Sequence, residues 1–487
     1  MNSQKNTAEE ITRRERVKKL REAGVQPYAD SFKRTHSLAE ARDLENGKKK
    51  VMVAGRIIFL REMGRLAFLK LSSLAGEYQI VLQDEKTEDF KLWLKRLDLG
   101  DFVGAAGETF TTKHGEPSLL VEKLTLLTKT LSPLPEKFHG LENIEKKYRE
   151  RHLDLATNRE TRERFLFRSN LVKTIRNFFD AEGFIEVETP VLQAKPSGAV
   201  ATPFRTHHAA LDLDCVLRIA PETYLKRCLV GGFEKVFEMA RCFRNEGIDP
   251  THLQDFTMME LYAGYENYEY LMKLAEKMFA EIAKLLGKKE IEFGGKKISL
   301  KTPFARIDLV EAVKKSVKID VEKASDTEIR GKIRELKIDV PNLEKLGRGS
   351  LIDAIYKKVL REKIVNPTFV TNHPVELSPL SRRSDSNPKR VDRFQLVING
   401  WEIINAFSEL TDSEDQRERF AEQAKARESG DTEAMENDDD FVKALSHGMP
   451  PAAGWGIGID RLVALLTNSE NLKDVVLFPL MKPSINE

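Results

Sequence analysis

The chain has 487 residues, enough at about 150 residues per domain for two to four domains, and its formal net charge of +2 on a background of 32% charged residues excludes binding through bulk charge alone. Cys215, Cys228 and Cys242 lie 13 and 14 residues apart, which excludes a disulfide framework and a CxxC metal or redox site. No apolar run reaches the ~18 residues of a membrane span and the start, MNSQKNTAEE, has no signal-peptide h-region, so a soluble, cytoplasmic protein with no membrane partner is expected.

Residues 1–60 hold 14 Lys/Arg against 8 Asp/Glu. Within them AEEITRRERVKKLREAG predicts a basic helix stopped by Gly24, either a solvated face or a nucleic-acid contact. From Val51 the texture changes. VMVAGRIIFL, RLAFLKLSS, EYQIVLQ, FVGAAGETFTT and SLLVEKLTLLTK predict five short strands, with a helix at TEDFKLWLKRL, which fits a small closed barrel of the OB type. A basic helical extension is therefore expected over 1–50, the barrel over 51–130 and a linker, with Pro133 and Pro135, over 131–150. A larger α+β domain follows over 151–487. It opens with a helix in RERFLFRSNLVKTIRNFFDAEGF, ended by Gly183, and a strand in IEVETPVL that Pro190 interrupts. Residues 265–365 alternate helical patterns with polar joins, read as a helical insertion without obvious chemistry. A very acidic helical stretch, SEDQRERFAEQAKARESGDTEAMENDDD, precedes the last segment, GWGIGIDRLVALLTN.

Three segments carry chemistry. Between the apolar runs GGFEKVFEMARCF and FTMMELYAGY, a polar connection with Gly247 and Pro250 predicts a long-looped hairpin. It offers the guanidinium of Arg244, carboxylates including Glu246, the imidazole of His252 and the ring of Phe256, a set suited to ATP plus a charged small molecule. In RFQLVINGWEIINAFSEL, alternation points Gln395, Val397 and Asn399 one way; past Gly400, Glu402 leads to Asn405, Phe407 and Glu409 on one face. Carboxylates inside apolar strands are costly unless they meet a cation or metal. In the third segment Gly454, Gly456 and Gly458 alternate at every second residue, so GxGxxG fails, with Ile459 where the third glycine should stand. GxxxxGK[ST] is also absent, Gly294-Gly295-Lys296 being too short. Alternating glycines suit a strand with a ligand pressed on its backbone, followed by a helix that leaves Arg461 at the junction as a phosphate ligand.

Taken together, these segments resemble the class II aminoacyl-tRNA synthetases and, within them, the bacterial lysine-specific family. FIEVETPVL with its preceding helix resembles the first family motif, FRNEGIDPTHLQDFTMMELY the second and GWGIGIDRLVALL the third, while the strands from Val51 resemble the family's anticodon-binding OB domain. The resemblance covers most of the chain. It implies an α+β fold, a five-stranded OB barrel followed by a class II catalytic domain whose antiparallel sheet is flanked by helices. It also implies a homodimer built partly on the first motif, with ATP, L-lysine and tRNA(Lys) as partners and Mg²⁺ as cofactor.

Residue by residue, the resemblance implies that Arg244 bridges the amino-acid carboxylate and the α-phosphate of ATP, with Arg244 and Arg461 as the catalytic pair. Glu246 would accept from the adenine amino group, Phe256 would stack on adenine, and His252 and Arg461 would hold the β,γ-phosphates. Gly198 and Glu222 would receive the α-ammonium. Glu260, Tyr262 and Glu409 would line the side-chain pocket, with Asn405, Phe407 and Gly456 beside them. Glu402, with Gln395, would hold metal and ATP, although Gln395 stands where relatives carry a metal-binding glutamate. Other departures are His252-Leu253-Gln254-Asp255, where relatives have His-Asn-Pro-Glu, and Ser197 and Thr202 in PSGAVATPF. In the barrel, Phe68 and Gln79, with Glu122 as a third, fall where relatives stack on and read the anticodon; Phe68 could also turn inward as core. The acidic, hydroxylic wall of Glu260, Tyr262 and Glu409 suits a primary ammonium and selects lysine over aspartate or asparagine. The alternatives are an aspartate or asparagine enzyme, a non-catalytic nucleic-acid-binding protein on the same scaffold, and a protein-lysylating enzyme, which would lack the barrel.

Overall fold

The computed structural model describes residues 7–135, 141, 143–199, 201–428 and 437–483. Parts of the expected linker (136–140 and 142), of the expected acidic stretch (429–436) and of the PSGAVATPF loop (Val200) lie outside the described residues. The chain divides into two compact units, Met1–Arg162 and Glu163–Glu487.

In the first unit, α1 (Ala8–Glu22) starts with a capping box between Thr7 and Glu10 and is followed by Gly24 at φ +75°. Arg13, expected among its basic residues, is buried and donates to the carbonyls of Leu99 and Thr130, while Arg14, Lys18 and Lys19 stay exposed. Strands β1 (Val51–Met63), β2 (Leu66–Ser73), β3 (Gly76–Gln83), β4 (Phe102–Thr111) and β5 (Pro117–Thr128) close a barrel in the order β1-β2-β3-β5-β4. Alternation fills it: Ala67, Leu69 and Leu71 point in with Val53, Ile80 and Leu119, so Phe68 and Lys70 point out. The unit runs past the expected linker to Arg162, with short helices at Ile144–Arg149, inside the expected linker, and Arg151–Thr157, beyond it.

The second unit is built on an eight-stranded sheet. In chain order its main elements are α2 (Arg159–Ala181, which begins in the first unit), β6 (Ile185–Glu186), α3 (Glu222–Val230), β7 (Lys235–Phe243), β8 (Asp255–Gly264), α4 (Tyr268–Leu286) and β9 (Ala305–Asp308). Next come α5 (Leu309–Val317), α6 (Asp326–Glu335), α7 (Arg348–Val359), β10 (Thr368–Pro374), β11 (Arg390–Ile398), β12 (Trp401–Ser408), β13 (Ala452–Gly458) and α8 (Ile459–Leu466). The sheet order is β9-β10-β11-β12-β13-β8-β7-β6, antiparallel except at the two edges, where β9 runs parallel to β10 and β6 to β7. One face buries Met259, Leu261, Ile404, Ala406, Trp455 and Ile457 against α2, α4 and α8. The long-looped hairpin expected around 243–262 is β7–β8, in register from Lys235–Ala263 to Phe243–Asp255.

The stretch 265–365 is not one helical insertion. Its first helix, α4, buries Leu271, Ala275, Met278 and Phe279 in the main core, and β9 joins the sheet edge. Gly294-Gly295, at φ +56° and +72°, is the turn of a small hairpin. Only α5, α6 and α7 form a cluster of their own, packed on Val370 and Val397. The face expected to run through Asn399 also stops earlier. A bulge follows Leu396, and Asn399 and Gly400, at φ +46° and +75°, form the β11–β12 turn.

Candidate active site

The second face of the sheet is the floor of a cavity of about 210 Å³. Strand alternation decides what reaches it. On β8, Met259, Leu261 and Ala263 go to the core and Glu260 and Tyr262 to the cavity; on β12, Ile404 and Ala406 go one way and Asn405 and Phe407 the other. Between them lies the glycine column of β13. Gly456 is in register with Glu260 on one side and Asn405 on the other, and Gly454 with Tyr262 and Phe407. A Cβ on Gly454 would lie 2.3 Å from the Tyr262 ring and 2.7 Å from Glu409 Oε1, so only glycine lets these groups converge. At Gly198, φ is +85° and a Cβ would meet that of Glu222 at 2.9 Å.

One end of the cavity is acidic. Glu222 opens α3, where the helix dipole favours a carboxylate, and Lys226 follows one turn later on the same face. Lys226 Nζ is fully buried, 2.6 Å from Glu222 Oε1 and 2.5 Å from Glu409 Oε2, with the rings of Tyr262, Phe407 and Phe441 5.4–5.8 Å away. Burial alone would discharge this lysine, but Glu222 and Glu409 outweigh it and hold its pKa above the ordinary value. Glu409 is 1% exposed and sits behind Gly454 and Tyr262 rather than on the cavity surface; neither of its oxygens has a hydrogen bond of good geometry. Burial, opposed by Lys226 and reinforced by Glu222, pushes its pKa up to about 8. Glu260 accepts from the Tyr262 hydroxyl at 3.3 Å, and burial beside Glu222 raises its pKa well above the carboxylate range.

The other end is basic. Arg244 lies over the Phe256 ring, 5.1 Å from its centre, and its buried Nε has no hydrogen-bond partner. Arg461, in the first turn of α8, donates to His252 Nε2 at 3.0 Å and to the Glu402 carbonyl at 3.4 Å, while His252 Nδ1 faces Asp249 at 2.7 Å. With an arginine donor on Nε2, the His252 proton belongs on Nδ1. Behind Arg461, the buried Asp460 accepts from Arg168 (2.6 Å) and from the Thr257 N–H (2.8 Å), pinning the strand–helix junction. Glu246 Oε1 accepts from the Thr202 N–H at 3.4 Å, and the Thr202 carbonyl accepts from Asn245 N–H at 2.7 Å, so two loops close together. Ser197 donates to Asp438. Within the hairpin loop Gln254 turns inward to the Gly247 carbonyl at 3.2 Å, whereas Asp255 faces solvent and pairs with Arg241.

Gly198, Glu222, Arg244, Glu246, His252 and Phe256 thus line one cavity, together with Glu260, Tyr262, Glu402, Asn405, Phe407, Gly456 and Arg461. Gln395 does not line it; it borders an adjoining recess of about 900 Å³. As a metal ligand Gln395 does not fit. Its Nε2 donates to Glu402, and its Oε1 accepts from the Tyr356 hydroxyl of α7 at 2.7 Å, an orientation set by the donor on one side and the carboxylate on the other. Among the described residues no group of three or more His, Cys, Asp and Glu could hold a metal. Three residues of the site lay outside the sequence reading: Lys226, signalled by its four-residue spacing from Glu222, and Tyr356 and Arg361, for which the sequence held no signal.

In the barrel, Phe68 stands opposite Arg61 and Val81 on the outer face. Gln79 is in register with Lys70 and donates to Ser118 Oγ at 2.8 Å, and Glu122 is exposed.

Residues 143–482 match the family described as tRNA synthetases class II (D, K and N), and residues 51–127 match the OB-fold nucleic acid binding domain. The chain is 45% identical over 481 residues to a lysine–tRNA ligase of Pelotomaculum thermopropionicum, covering 97% of this chain and 94% of that protein. It is 46% identical over 489 residues to those of Citrobacter koseri and Escherichia coli K12, covering 97% of this chain and 96% of each. The chain belongs to the lysine–tRNA ligase family of class II synthetases. Its closed five-stranded barrel and its mixed sheet with flanking helices are the two domains of that family. No helix among the described residues is long and apolar enough to cross a membrane.

Proposed function

We propose that this protein activates L-lysine with ATP and transfers the lysyl group to the 3′ end of tRNA(Lys), in the cytoplasm, for protein synthesis. The acidic end of the cavity carries the reading. Glu222, Glu260 and Glu409 converge there against the single ammonium of Lys226, which pairs with Glu222 and Glu409 and leaves Glu260 with the Tyr262 hydroxyl alone. A substrate with two ammonium groups completes that charge set, whereas an aspartate side chain would add a fourth carboxylate. Leaving a buried charge unpaired costs roughly 3–5 kcal/mol, enough to reject a neutral or anionic side chain.

In this reading Gly198 and Glu222 take the α-ammonium, and Glu260 and Tyr262 the ε-ammonium, with Glu409 facing it past Gly454, over Gly456 and beside Asn405 and Phe407. Phe256 stacks on adenine and Glu246 accepts from its amino group. A lysine carboxylate oxygen attacks the α-phosphorus, the bond to the bridging oxygen of the β-phosphate breaks, and pyrophosphate leaves. The nucleophile is already ionised, so no general base is needed. Arg244 holds carboxylate and α-phosphate together, while Arg461, steadied by His252, neutralises the leaving phosphates. The terminal ribose hydroxyl of tRNA then attacks the acyl carbon, gives up its proton, and AMP leaves. Magnesium would arrive on the phosphate oxygens of ATP, with Glu402 as the carboxylate beside them.

The outward Phe68 and Gln79 support reading of the anticodon by stacking and hydrogen bonding. Exposed Ile185, Val191 and Leu192 of the first motif, 39–53% accessible, support a homodimer. ATP–pyrophosphate exchange measured with every amino acid tests the activation step: lysine-dependent exchange is expected, and exchange with aspartate or asparagine instead, or with none, would overturn the reading.

A further inference from the structure

We propose that Arg361 binds the phosphate tail of ATP and supplies, beside Glu402, positive charge that a divalent ion held between two carboxylates would otherwise bring. The inference rests on the reading above, which places ATP in this cavity.

Arg361 stands in the single turn Arg361–Lys363 just after α7, and its side chain borders the recess that Arg244, His252, Glu402 and Arg461 share with the main cavity. Its Nε is buried and has no hydrogen-bond partner, and among the described residues no carboxylate pairs with it. Arg244 is in the same condition. Buried guanidinium donors without acceptors are rare in folded proteins, and two of them facing one cavity call for an anion. Their charges are mutually unfavourable. Burial lowers the pKa of Arg461, and Arg244 and Arg361 lower it further against the opposing pull of Glu402. A polyphosphate would relieve all three.

A resident divalent ion at Glu402 has the opposite problem. Gln395 Nε2 occupies one side of the carboxylate and is locked there by Tyr356. Asp353 and Glu376, which also border the recess, are paired with Lys357 at 2.5 Å and Arg348 at 3.2 Å, and Glu246 accepts from the Thr202 N–H at 3.4 Å and faces the adenine in the reading above. That leaves one carboxylate with a partly occupied coordination sphere, facing three guanidiniums that would repel a cation. Divalent cations of this kind take several oxygen ligands, which this donor set lacks. Once MgATP is bound, three guanidiniums and one carboxylate balance its remaining negative charge without a second ion.

The experiment counts tightly held Mn²⁺ per bound ATP by electron paramagnetic resonance on the unaltered protein. In parallel, calorimetry measures ATP and lysine affinity for the unaltered protein, for Arg361→Gln and for Arg361→Lys. One Mn²⁺ per ATP is expected, with ATP affinity about tenfold lower in Arg361→Gln, largely kept in Arg361→Lys, and lysine affinity unchanged in both. Two or more tightly held Mn²⁺ per ATP in the unaltered protein, a count that needs no variant to fold, would overturn the proposal. So would unchanged ATP affinity in Arg361→Gln. Failure of the unaltered protein to bind ATP at all would bring down the ligase reading, and this inference with it.

Discussion

The two ends of the cavity treat charge in opposite ways. At the acidic end, burial raises the pKa of Glu260 and Glu409, and a protein ammonium, Lys226, is built in to hold Glu222 and Glu409. At the basic end, guanidiniums keep their charge and two of them stand without partners. The difference follows from the side chains. A carboxylate adapts to burial by taking up a proton, whereas a guanidinium stays charged and can only wait for an anion. The acidic end can therefore be closed, preformed and selective, while the basic end stays open and depends on its ligand.

Changes that break this contrast should rank by how much charge they strand. Arg244→Ala should lower ATP–pyrophosphate exchange most, by about 10²–10³, as expected for one donor aimed at developing charge; exchange within tenfold of the unaltered protein would show that Arg244 is not the bridge. Glu409→Ala should cost lysine activation about a hundredfold while ATP affinity, measured by calorimetry, survives, since an ammonium would be left unpaired. An unchanged exchange rate would mean the ε-ammonium lies elsewhere. Phe68→Ala sharpens the contrast by lying outside the cavity. Losing about 1–3 kcal/mol of stacking should weaken tRNA binding by about 5- to 150-fold, with lysine-dependent exchange untouched, and equal losses in both assays would reject the assignment.

The smallest effect is on pH. Because burial beside Glu222 pushes the pKa of Glu409 up to about 8, lysine binding below that pH must expel its proton. The KM for lysine should therefore rise about tenfold from pH 8.5 to about 7 while that for ATP stays flat; parallel profiles would exclude Glu409 as the group responsible. The sign for stability follows from the same shift. A carboxylate raised from 4.5 to about 8 binds its proton more tightly in the folded state, so stability falls as pH rises through that window, and added lysine should restore it in thermal melts.

Much of this site was legible along the chain. Period-two alternation in β12 and β13 sufficed to group Asn405 with Phe407 and the three glycines on one face, while Glu260 and Tyr262 were legible only through the family resemblance. The OB barrel was legible for the same reason, since five short alternating strands leave few other ways to bury one face. Phe68 was not, because RLAFLKL is apolar on both faces, and only barrel closure showed which one is inside. The limits of 265–365 were also hidden: α4 and β9 belong to the main sheet by long-range packing that no local pattern records.

Sequence by itself determined a five-stranded barrel followed by a larger α+β domain and much of the chemical inventory, because these depend on residue type and short-range periodicity; the resemblance of its motifs to a known family added the class II sheet and the preference for a cation. Tertiary structure alone decided the rest. It set Lys226 between Glu222 and Glu409, hid Glu409 behind Gly454, turned Gln395 from a metal ligand into a clamp on Glu402 through Tyr356, and brought Arg361 from the end of α7 to the phosphate side. Each of these depends on burial and on contacts between residues distant along the chain. Those contacts set whether a buried charge is neutralised, paired or left waiting for a ligand.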